Sequence, residues 1–298
     1  MFQDYLFYGA DLEFKYAYRM LHLSNLVQKA QKLHGLADAR AVLLGETLLG
    51  SVLLASVLQE EELVNLRVQC GDHFTAGAET TRLASTRGYA EFDEDSLVVK
   101  ALDEGARPSA DLLIRSLRAQ SNGKVFEGRT AFSAALPFEE ALNDHLERSF
   151  QMSLRVKLQC WPDREDGLLR AFAVIYMDLP GLSAPEAERL HQHIDALPSM
   201  QELYSRSSDP DALGKALTPQ ETRAIKSLVP EWICTCSQSS VEQMLLKLPT
   251  DEWEDILEKN EPLEIKCHYC STKYNVGVPR IKEILAQNPS LMPEKVLN

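Results

Sequence analysis

ICTCSQSSVEQMLLKLPTDEWEDILEKNEPLEIKCHYC, residues 233–270, carries four of the chain's six cysteines: Cys234 and Cys236 as C-x-C, Cys267 and Cys270 as C-x-x-C. The segment between the pairs reads as two helices, SVEQMLLKL and DEWEDILEKN, split by Pro249. Two close thiol pairs at the ends of a short segment supply four thiolates to one tetrahedral Zn²⁺. The C-x-x-C half is a common knuckle element, and C-x-C is the more informative half. Two structural disulfides, or unrelated buried thiols, are the bland alternatives. Nothing marks the chain as secreted, which disfavours the first. His268 lies between two of the candidate ligands, but four cysteines already complete a tetrahedron.

Working outward, the 298 residues allow a sizeable core. The net charge is 31 − 44 = −13, which argues against a nucleic-acid partner. From Glu231 to the end, 7 Lys and Arg stand against 11 Asp and Glu, a net of −4, so a nucleic-acid zinc finger is not expected there. MFQDYLFYGADLEF has neither a basic n-region nor an apolar h-region, so it is not a signal peptide. AVLLGETLLGSVLLASVL, 41–58, is near the minimum spanning length but carries Glu46 and no basic flank. It reads as a buried core helix whose Gly45, Gly50 and Ser51 allow close approach. No membrane partner and a cytoplasmic location, with reduced thiols, are the expectation.

In chain order, the pattern predicts a short strand over Tyr5–Glu13, an amphipathic helix over Lys15–Leu33 and the buried helix up to Leu58. Alternating segments then predict strands at LVNLRVQC, RGYAEF, SLVVKAL, LLIRSLRA and KVFEGRTAF, followed by a helix at LPFEEALNDHLERSFQ. LRVKLQCW and LLRAFAVIYMDL close an α+β core domain over residues 1–179. Cys70 and Cys160 lie on strands as small core hydrophobes. The seven histidines are scattered, and no phosphate loop, dinucleotide fingerprint or serine elbow is present. An enzyme is therefore not expected.

Residues 180–230 differ in character, with six prolines and short helical fragments at PEAERLHQHIDAL, SMQELYSR, DALGKAL and PQETRAIKSLV. Thr218, Pro219 and Glu221 read as the start of the last one. Fragments this short are not stable alone, so their apolar stripes must dock on something. The ordinary reading is a helical linker between the core domain and a small zinc-binding domain, 231–298; the sharper one is a metastable, conditionally folded segment that exposes its apolar stripes when its support is lost.

CTCS, the helix running into Leu248-Pro249-x-x-Glu252, and EIKCHYC with the following Tyr274 resemble the zinc end of the bacterial redox-regulated heat-shock holdase, the 33 kDa chaperonin family. LGETLLGSVLLASVL resembles that family's core helix, and VQCGDHFTAGAETT with TRGYAEF its strand pair and RGY turn. FEGRTAF and HLERSFQ resemble its late strand and following helix, so the likeness spans nearly the whole chain. Departures are Phe150 for the usual Glu, His145 for Tyr, Ser271 for Gly after the last cysteine, one Gly fewer in CGDHF, and a poorly matching linker. The resemblance implies a non-enzymatic chaperone for unfolding client proteins, inactive when reduced and zinc-bound. It implies activation when the four cysteines form two disulfides, Cys234–Cys236 and Cys267–Cys270, releasing the metal, with dimerisation of the oxidised form. Zinc-bound thiols are thiolates, the oxidant-sensitive form, and disulfides that close tiny loops would not tie one end of the segment to the other. A thiol–disulfide oxidoreductase using Cys267 and Cys270, and a constitutive zinc adaptor, are the rival readings.

Overall fold

The computed structural model describes residues 3–13, 15–58, 63–105, 110–133, 136–150 and 153–288. At its start, β1 (Tyr5–Asp11) and β2 (Tyr16–His22) form a hairpin, followed by α1 (Ser24–His34) and α2 (Asp38–Ser56). The single helix expected over Lys15–Leu33 is thus a strand and then a helix. β2 lies between β1 and β9 (Leu169–Asp178) and is buried on both faces. Its near-continuous apolar run therefore carries no period of two, and pairing decides what periodicity does not.

β3 (Leu63–Cys70), β4 (Phe74–Thr81) and β5 (Ser85–Phe92) form a meander. SLVVKAL, expected as a strand, is α3 (Leu97–Asp103), because the Ser96 side chain accepts from the N–H groups of Val98 and Val99 and caps a first turn. β6 (Asp111–Ala119) and β7 (Val125–Ser133) extend the meander. α4 (Phe138–Ser149), β8 (Leu154–Pro162) and β9 (Leu169–Asp178) follow.

The linker stretch supplies α5 (Ala184–Asp195), α6 (Met200–Arg206) and α7 (Pro210–Leu217). Its last fragment is not a helix but a strand, β10 (Thr222–Leu228), antiparallel to β1. Thr218 closes α7, its hydroxyl donating to the Gly214 carbonyl at 2.9 Å, instead of opening a new helix. The two-residue β11 (Glu231–Trp232) pairs in parallel with β5.

Two sheets result, ordered β10-β1-β2-β9-β8 and β11-β5-β4-β3-β6-β7. α2 runs between them, touching β3, β4 and β5 of one and β8 and β9 of the other. Among the described residues it is the one helix long and apolar enough to cross a membrane, and it is the centre of this core. Its glycines admit side chains. A Cβ at Gly45 would lie 2.5 Å from Cys160 Sγ, and one at Gly50 would lie 2.9 Å from Leu66. Cys70 and Cys160 are both buried, as core hydrophobes should be.

α5, α6 and α7 dock on the outer face of the five-stranded sheet. Leu190, Ile194, Met200, Leu203, Leu213 and Leu217 cover Tyr16, Tyr18, Met20, Trp161, Phe172, Val174 and Tyr176. Tyr176 donates to the Leu217 carbonyl at 2.7 Å, and Tyr204 stacks on His22 with ring centroids 5.5 Å apart. The chain is α+β and divides into two compact units, Met1–Ile233 and Cys234–Asn298.

Candidate metal centre

The second unit begins with the C-x-C pair. Cys234 and Cys236 run straight into α8 (Gln238–Leu245), whose first turn is closed reciprocally by Ser237 and Ser240. α9 (Thr250–Lys259) follows Pro249 and ends at Asn260 in the left-handed conformation. β12 (Leu263–Lys266) and β13 (Lys273–Val276) then pair antiparallel, with Cys267–Cys270 in the turn between them. Cys267 N–H donates to the Thr272 carbonyl and Ser271 N–H to the Cys267 carbonyl, both at 2.9 Å. The turn places Ser271 at φ 57, a left-handed position that glycine adopts without strain. The departure from Gly noted in the sequence therefore falls on the one knuckle residue whose backbone asks for it.

These two arms bring the four sulfurs within 4.8 Å of one another. A Zn–S bond of about 2.3 Å puts tetrahedral sulfurs about 3.8 Å apart, so the donor set fits one soft, four-coordinate cation. All four predicted ligands converge, without His268. Two of the separations cross between the arms, Cys234 to Cys267 at 3.7 Å and Cys236 to Cys270 at 3.2 Å.

Two polar groups touching the sulfurs were not assigned a role from sequence. The Tyr274 hydroxyl donates to Cys236 Sγ at 3.0 Å, and the Thr272 hydroxyl lies 3.2 Å from Cys270 Sγ. Both follow the second pair at short range, which is the signal that would have found them. Burial, together with the neighbouring thiols, pushes Cys236 up to about 12 despite the Tyr274 bond. Burial also raises Cys267. At Cys270 burial acts the same way, but the Thr272 hydroxyl and backbone, together with the Cys236 and Cys267 thiols, outweigh it and hold the thiol at about 6. Thiols this close resist ionising together unless a cation shares their charge.

Support for the site is slight. Val241, Leu245, Trp253, Val276 and, from α10 (Val278–Gln287), Ile281, Ile284 and Leu285 are the seven buried residues of its apolar cluster. Trp253 is fully enclosed. A unit this short seldom folds on its apolar core alone.

A model of the family described as "Hsp33 protein" matches residues 4–277. Among curated relatives, the 33 kDa chaperonin of Lachnoclostridium phytofermentans is 21% identical, with 89% of this chain and 92% of that protein covered. The 33 kDa chaperonin of Lactobacillus johnsonii is 23% identical, covering 95% and 98%. The crystal structure of the 33 kDa chaperonin from Thermotoga maritima superposes with a TM-score of 0.81 at 20% identity, over 97% of this chain and all of that one. With its family match running across both compact units and its four cysteines drawn together, this chain belongs to the Hsp33 protein family.

Proposed function

We propose that this chaperone is a redox-regulated holdase that captures unfolding proteins and prevents their aggregation. It is non-enzymatic, works in the cytoplasm, and is held inactive by one zinc on Cys234, Cys236, Cys267 and Cys270. The observation that carries this reading is four sulfurs gathered from the start and the middle of a unit whose described residues bury an apolar cluster of only seven. A zinc bound there supplies charge for four thiolates and a tie between the two arms, on the order of 10–16 kcal/mol of apparent binding free energy for structural sites. Domain stability is only about 5–15 kcal/mol, so the unit folds with its metal and opens without it.

Activation begins when oxidant takes the sulfurs. Each disulfide forms as two thiols give two electrons to one peroxide, which leaves as two waters. The family resemblance pairs Cys234 with Cys236 and Cys267 with Cys270, leaving the arms untied. Cys234 directly follows the segment that pairs with β5, so an unfolded second unit pulls on the covalent end of residues 180–230. We assign that stretch the role of a conditional cover. Once α5, α6 and α7 leave, Tyr16, Tyr18, Trp161, Phe172 and Tyr176 form an aromatic face able to bind apolar segments without sequence preference. Self-association of the oxidised form through that face belongs to the same reading.

Light scattering of a heat-labile client tests it. Peroxide-treated, metal-free protein should suppress aggregation and the reduced zinc form should not. Equal suppression by both removes the switch. A specific observation favours checking the disulfide pairing as well, since two sulfur pairs lie within 3.7 Å of each other across the arms. Crossed disulfides would keep the arms tied, and mass-spectrometric mapping distinguishes the two pairings.

A further inference from the structure

The two edges of the five-stranded sheet are closed by different means. At β8, side chains of α4 do the work. Asn143 exchanges hydrogen bonds with both the N–H and the carbonyl of Val156 at 2.8 Å, and Glu139 accepts from the Leu158 N–H at 2.8 Å. That edge is sealed from within the core. At β1 the seal is β10, a strand of the stretch proposed to undock. Six residue pairs run from Leu6 opposite Leu228 to Asp11 opposite Thr222, and Ile225 bulges out between Lys226 and Ala224. Five of the seven β10 residues are exposed, so little apolar burial holds it. Its side-chain anchors include Lys226 over the Tyr8 ring at 4.5 Å and Thr222 beside the Tyr18 hydroxyl at 3.2 Å.

We propose that the β1 edge, filled by β10 in this structure, is a strand-addition site that takes an extended segment of an unfolded client chain once β10 has left. The inference rests on the reading that residues 180–230 undock, and it adds a directional contact to the aromatic face. An open edge is a template of unpaired N–H and carbonyl groups, and main-chain pairing is indifferent to client sequence. β1 alternates Leu6, Tyr8 and Ala10 toward the core with Tyr5 and Phe7 toward the face that α5, α6 and α7 cover. A strand added beside it continues that face, so apolar residues at every second position are favoured. Lys226 on Tyr8, within a chain of net charge −13, adds a preference for a basic residue near the middle of the segment.

The test uses the full chain and a fluorescein-labelled peptide of its own residues 220–230, QETRAIKSLVP, read by anisotropy. Peroxide-oxidised, metal-free protein should bind it at least about tenfold tighter than the reduced zinc form. N-methylation at alternate peptide nitrogens, which removes ladder donors, should weaken binding by about tenfold or more. Reduced, carboxymethylated α-lactalbumin should compete. Two variants, Ala224→Pro and Ser227→Pro, loosen β10 without touching a cysteine and should bind the peptide while still reduced. Hydrogen exchange at Leu6–Ala10 separates the two ideas. If oxidation leaves these amides protected without client, β10 never leaves and the undocking reading fails, while the reduced proline variants still decide the edge. If they are freed and neither peptide nor client restores protection, or the N-methylated peptide binds equally well, the strand-addition site is wrong. An oxidised dimer that protects the same amides and excludes the peptide would assign the edge to a second copy, and would also overturn it.

Discussion

Among the described residues, the main cluster of the first unit buries 38 around α2, whereas that of the second unit buries seven around Trp253. One holds together by apolar area, the other, as proposed, by a metal tie between sulfurs that an oxidant can cut. On the proposed reading, the difference would let a single chain be both durable and switchable. Chemistry that opened the second unit would leave the two-sheet core standing, with its outer face ready to be used. The helices α5, α6 and α7 sit between these extremes, docked on a real apolar face but each too short to persist alone.

The largest effect should come from the tie. Cys267→Ser removes one of four ligands, and calorimetry should show the transition of the second unit vanish along with stoichiometric zinc, on the scale of about 10 kcal/mol or more. The transition of the first unit should remain. Next is Trp253→Ala, which empties the centre of the small cluster. A loss of about 3–5 kcal/mol is most of what such a unit has, so urea unfolding of zinc-loaded protein should show it open early.

Acid should discriminate in the other direction, through His145 in the first unit. This ring is fully buried, with Nδ1 3.0 Å from the Thr130 hydroxyl and Nε2 2.8 Å from that of Ser116. Burial holds it at about 4, below its ordinary 6.5. The neutral ring is favoured by the fold, so its contribution is complete above pH 6.5 and is lost as pH falls through 4. The loss is about 3 kcal/mol at 1.4 kcal/mol per unit. His145→Gln should lower the urea midpoint of the first unit at pH 7 yet flatten its fall between pH 6.5 and 4. An unchanged pH slope would mean that the ring ionises freely. The smallest effect is Ser271→Gly, which relieves the left-handed residue of the knuckle and should raise the stability of the second unit by about 1 kcal/mol.

The four cysteines were legible because metal ligation constrains residue type and spacing together, and no other part of the chain is so marked. α2 was legible too, since a long run that is apolar all round has few alternatives. Two of the three misread segments share one cause. Tyr16–His22 is a strand because β1 and β9 pair with it, and Thr222–Leu228 is a strand because β1 lies open beside it. Neither partner is local in sequence. For Leu97–Asp103 the signal was local: Ser96 caps the first turn. Phe150 and His145, two of the departures from the family pattern, touch one another. Their rings meet edge to face at 6.4 Å, and Arg118 covers Phe150 at 4.3 Å.

Hydrogen exchange read by mass spectrometry, on reduced zinc-loaded protein and on the same sample after peroxide and removal of released metal, tests the central claim most directly. The account predicts that Val241–Leu285 and the helices Ala184–Leu217 lose protection together while Leu63–Ala119 keeps its own. Protection unchanged across Val241–Leu285 after stoichiometric zinc loss would contradict it.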